Sequence, residues 1–156
     1  MIRLMVLSFL VAFVLMAMPM GFEWRWYRPE FVVLLVIYWS MYTPQYFGLT
    51  AAWLMGLGLD LITFSPLGLH GLCTLLVAYI AHLTHQRMRN YVLWHQGVWM
   101  FILVGVYHLL SHWLTNFLGY AQATPAFLIS ALLSGFIWPL VVVLLARLQI
   151  VWRLQS

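Results

Sequence analysis

The chain is built of long apolar runs with almost no charge inside them, at 4–18, 31–63, 67–83, 94–114 and 125–148. An apolar helix of about 20 residues crosses the roughly 30 Å hydrocarbon core of a bilayer. Hydrophobic residues make up 65% of the chain and charged residues 6%, against roughly 25% charged in a soluble domain. So little charge cannot coat a water-soluble fold, and the exterior itself must be apolar. The sequence therefore reads as an all-α integral membrane protein forming a single transmembrane domain over 1–156. No polar block is large enough to make a second, soluble domain.

The run 31–63 is too long for one crossing, since as a single helix it would rise roughly 50 Å. Pro44-Gln45 interrupts it. It reads as two short or tilted helices meeting at a turn near 43–46, with a re-entrant hairpin buried in protein as the alternative. Counted as two, these segments give a compact bundle of about six transmembrane helices. Arg3 precedes the first run, but no A-x-A-like cleavage site follows it, so an uncleaved helix is expected rather than a signal peptide. Between the first two runs, Glu23, Arg25, Arg28 and Glu30 cancel in charge. Trp24, Trp26 and Tyr27 among them match the aromatic belt of a membrane interface.

Seven arginines and no lysines give a net charge of +4. They sit at the ends of apolar runs and form no basic patch interleaved with aromatics, which argues for topology and against nucleic acid. Arg87 and Arg89 are separated from Arg147 and Arg153 by two clear spans, so the two pairs share a side. With six spans Arg3 joins them. The positive-inside rule then puts both termini and the 85–90 loop in the cytoplasm, with 22–30 and 60–65 outside. Cys73, the one cysteine, lies in an apolar run and reads as a small packing residue.

Two groups of residues stand out. Asp60 is the only acid within the hydrophobic body, and a charge there is costly without a partner. Gly56 and Gly58 before it allow close approach of another backbone. Ser65-Pro66 suits a helix start, Gly68 follows, and His70 is placed to pair with Asp60 around the turn. The second group is His108, Ser111, His112 and Thr115, spaced at i, i+3, i+4 and i+7 on one helix face. Two histidines at i, i+4 can share a metal ion, but no third ligand is evident. Interhelical hydrogen bonding is the expectation, with no metal. His82 and His85 lie beside Arg87 and Arg89, at headgroup level. Pro139 lacks the N–H that would bond Gly135, predicting a kink, with Ser134 and Gly135 easing close packing there. No paired carboxylates, nucleophile triad, phosphate loop or cofactor motif is present, so neither catalysis nor a cofactor is expected. Two function classes fit: a subunit that binds a partner's transmembrane helix, and a small-molecule-binding protein with a pocket near Asp60 or the His108 face.

Taken in order, several features resemble the MreD family of rod shape-determining inner-membrane proteins. They are an N-terminal apolar helix, Tyr27-Arg28-Pro29, Tyr38-Trp39, the spaced glycines before Asp60 with Leu67-Gly68 after it, and Trp138-Pro139. The likeness runs from about Leu4 to Arg153. It implies a multi-pass protein of the bacterial inner (cytoplasmic) membrane, acting in the cell-wall elongation (rod) complex. The implied partners are MreC directly, with MreB, RodA and a penicillin-binding transpeptidase in the same complex. It also implies a fold resembling the substrate-binding membrane subunits of energy-coupling-factor transporters. This keeps a vitamin-type transport role as the alternative. Gly56, Gly58, Asp60, Gly68 and His70 are the candidate surface for MreC.

Overall fold

The computed structural model describes residues 1–19, 21, 23, 27–120 and 126–155. Trp24, Arg25, Trp26 and most of the turn before the last helix lie outside them. Six helices follow one another: α1 Ile2–Ala17, α2 Phe31–Tyr42, α3 Leu49–Thr63, α4 Leu69–Met88, α5 Leu93–Phe117 and α6 Phe127–Gln155. The segment 31–63 is indeed two short helices, broken where Pro44 interrupts the run. Only α5 and α6 are both long and apolar enough to cross a bilayer by themselves. α6 continues as one helix through Pro139.

The helix directions follow from side-chain contacts. Arg28 donates to Met16 O and Met18 O, and Trp39 Nε1 donates to Ser8 Oγ, so α1 and α2 are antiparallel. Thr74 bonds Ala52 O while Asp60 meets Gly68, which reverses α4 on α3. His70 faces Tyr107 and Gln96 reaches Met88 O, reversing α5 on α4. Phe127 packs on His112 while Trp138 Nε1 donates to Gln96, reversing α6 on α5. α3 ends beside α4's start, level with the beginning of α2, so each helix reverses the one before.

α2 is the centre of the molecule. Every residue from Val32 to Met41 is buried, so protein encloses this helix on every side. The other five helices supply the enclosure: Tyr38 meets Trp138 edge-on, and Tyr42 donates to Gln96 Oε1. The outer faces are apolar instead. Val14, Leu54, Leu83, Leu109 and Leu140 are more than half exposed, the pattern of a bundle whose solvent is lipid.

Close approach occurs at four glycines. A Cβ on Gly56 would lie 2.5 Å from Gly71 Cα and 2.7 Å from His70 O, so α3 and α4 touch backbone to backbone. Gly97 and Gly135 do the same for α5 and α6, each Cβ falling within 2.9 Å of the other residue's carbonyl oxygen. Gly58 accommodates the Phe13 ring of α1.

Candidate functional site

Asp60 lies in the last turn of α3 and is buried inside the protein, 1% exposed. Oδ1 accepts from Ser65 Oγ at 2.9 Å and from the His70 backbone N–H at 2.9 Å, and lies 2.8 Å from His70 Nδ1. Oδ2 accepts from the backbone N–H of Gly68 at 2.8 Å and of Gly71 at 3.4 Å. These donors belong to the first turn of α4, where four N–H groups have no partner within the helix. The carboxylate of α3 thus caps α4, and its charge opposes the positive end of that helix's dipole. Ser65-Pro66 does not open α4. The helix begins at Leu69 after Gly68, whose φ of 95° suits glycine, and Ser65 instead bridges Asp60 and the His70 ring.

The expected pairing of Asp60 with His70 is therefore present, and it joins a larger set. Gly56 and Gly58 are filled by this chain's own α4 and α1 rather than left as an open groove. What the turn offers outward is apolar: Leu61 is 66%, Leu67 72% and Phe64 94% exposed. Phe64 also holds φ 53° at the end of α3, an uncommon conformation for a bulky residue.

The His108 face is divided. Ser111 and Thr115 return their hydroxyls to the carbonyls of His108 and Ser111, within α5 itself. The rings of both His108 and His112 face Phe127. Only His108 approaches an acid on another segment, with Nε2 3.8 Å from Glu30 Oε1, and that nitrogen is buried without a hydrogen-bond partner. Among the described residues, no three His, Cys, Asp or Glu side chains converge as a metal ion would require.

Two residues that join helices were not foreseen. Glu30 lies just before α2 and turns inward; its N–H donates to Ser134 Oγ and its neighbour Arg28 O accepts from Ser130 Oγ. Burial pushes its carboxyl up to about 7, against the opposing pull of Arg28. Gln96, at the opposite end, accepts from Tyr42 and Trp138 and donates to Met88 O and Tyr91 O, joining α2, the α4–α5 turn and α6. Its signal was in the sequence, as a lone amide opening an apolar run.

Comparison with known proteins places these features in a family. The family model for the rod shape-determining protein MreD matches residues 1–148. The Haemophilus influenzae protein named "Rod shape-determining protein MreD" is 30% identical over 141 residues, covering 90% of this chain and 87% of that one. No solved structure matches the chain.

Proposed function

The chain belongs to the MreD family of rod shape-determining membrane proteins, and from this we propose that it is a non-enzymatic membrane subunit of the rod complex. In this reading it binds MreC and helps to organise peptidoglycan synthesis beside MreB, RodA and a penicillin-binding transpeptidase. The family match carries the proposal. The site is in keeping with a structural role, since both Asp60 oxygens are used in holding a turn. The proposed setting is the inner membrane, entered by six helices of alternating direction with both termini in the cytoplasm. Arg3, Arg87, Arg89, Arg147 and Arg153 support this, because the alternating helices put all five at one side of the bundle.

The proposed MreC surface is the stretch containing Gly56, Gly58, Asp60, Gly68 and His70. There the buried residues fix the shape, and Leu61, Phe64 and Leu67 would make the contact. Purification in mild detergent tests the function. A stoichiometric single-span partner is expected. A retained vitamin-like molecule without a protein partner would favour a small-molecule-binding subunit of a transporter instead. Phe64→Ala with Leu67→Ala tests the surface: the doubly substituted protein should melt like the parent yet recover less MreC. Full recovery would place the interface elsewhere.

A further inference from the structure

The α3–α4 turn has its polarity reversed relative to a loop in water. Its polar side chains turn inward: Thr63 Oγ1 donates to Leu59 O and meets Ser65 Oγ, which donates to Asp60. Its large apolar side chains, Leu61, Phe64 and Leu67, turn outward. Most of its backbone donors are satisfied within the turn as well. The N–H groups of Phe64 and Ser65 bond Asp60 O, those of Gly68, His70 and Gly71 bond its carboxylate, and those of Leu69 and Leu72 bond Pro66 O and Gly68 O. Irregular backbone at membrane depth requires this kind of internal satisfaction. The α4–α5 turn is built the other way, with Arg89 and Asn90 exposed.

Two lengths give the depth. α3 has 15 residues and rises about 22 Å, so starting at one face it stops some 8 Å short of the far side of a roughly 30 Å core. Tilt would leave it shorter still. At the other side of the turn, His70 packs against Tyr107. α5 runs on from there to Phe117, rising about 15 Å past the turn, with Leu109, Trp113 and Phe117 exposed along the way.

We propose that the α3–α4 turn is recessed in the hydrocarbon of the leaflet on its side, with Leu61, Phe64 and Leu67 in contact with lipid acyl chains. This placement concerns the chain alone in a bilayer and does not depend on the partners proposed above. The carboxylate staple gives the backbone donors of the reversal partners inside the chain. The bilayer meets a shorter wall at α3–α4 than at α5, so lipids along that side lie against a step.

Spin labels test the depth. In a Cys73→Ala background, Phe64→Cys and, separately, Leu67→Cys are labelled in vesicles of phosphatidylethanolamine and phosphatidylglycerol. Collisions with oxygen, which concentrates in hydrocarbon, are compared with collisions with a water-soluble nickel chelate. Leu54→Cys serves as the expected lipid reference and Asn90→Cys as the aqueous one. The oxygen-to-nickel ratio at 64 and 67 should match that at 54 and exceed that at 90 several-fold. A ratio matching position 90 at both sites overturns the proposal by placing the turn in water. Shielding from both reagents overturns it as well, by placing the turn under protein.

Discussion

Asp60 has no acceptor capacity to spare for a group arriving from outside, because its two oxygens already serve the start of α4. Asp60→Asn keeps the shape but aims an amide N–H₂ at backbone N–H groups. Each buried donor left without an acceptor costs about 1–3 kcal/mol, so the variant should melt well below the parent in mild detergent. An unchanged melting temperature would show that the turn is held by other contacts. The sequence made the His70 partnership legible, since both side chains are visible there. It could not show the backbone donors, because a peptide N–H has no signature in the residue that carries it. Glu30 is the reverse case. Next to Arg28 it reads as a compensated surface charge, whereas the structure draws it in toward His108. Its folded carboxyl titrates at about 7 instead of 4.5, so the folded state holds the proton more tightly than the unfolded one. Stability should therefore fall as pH rises from about 4.5 to about 7 and stay lower above that. Glu30→Gln should remove this dependence, raising the melting temperature at pH 8 and leaving it nearly unchanged at pH 4.5. Equal effects at both pH values would contradict the assignment.

At the scale of elements, the glycine contacts rank the helix pairs. Gly135→Leu has to force α5 from α6 against the carbonyl of Gly97, and overpacking of this kind costs roughly 1–3 kcal/mol or more. Gly56→Leu meets α4 backbone in the same way. Gly105 is the control, since a Cβ there has nothing within 4 Å. Gly105→Ala should be neutral or stabilising by up to about 1 kcal/mol through helix propensity. Melting curves of the three variants decide this; loss of stability at Gly105 alone would invert the ranking. Helix boundaries were legible at Pro19 and Pro44, which interrupt apolar runs, whereas the expected loop at 85–90 is shorter, because α4 continues through His85 to Met88. The environment of α2 was not. A segment such as Val32–Met41 has no polar side to mark what it faces, and only its enclosure by the other five helices shows that it meets protein. The face from His108 to Thr115 was legible as a face, but hydroxyls that bond their own helix look the same in sequence as hydroxyls that reach across.

For the whole molecule, the charge pattern carries the topology. A cysteine at Gln86, in a Cys73→Ala background, should react with a membrane-impermeant maleimide only after the cells are opened; labelling of intact cells would reverse the orientation. Membrane residence was legible from composition, because a chain with 6% charged residues has no other way to clothe itself. The recess at the α3–α4 turn was not, since it depends on how far neighbouring helices overshoot one another. The enclosure of α2 has a further consequence for synthesis. This helix leaves the ribosome second, at 12 residues too short to bridge a bilayer, and four of the five helices it packs against have yet to be made. The Trp138 indole that meets Tyr38, and the Ser134 hydroxyl that receives the Glu30 N–H just before the helix, become available only when the last helix emerges. A chain interrupted before α6 therefore carries an open core, and the second helix to be made is the last to be finished.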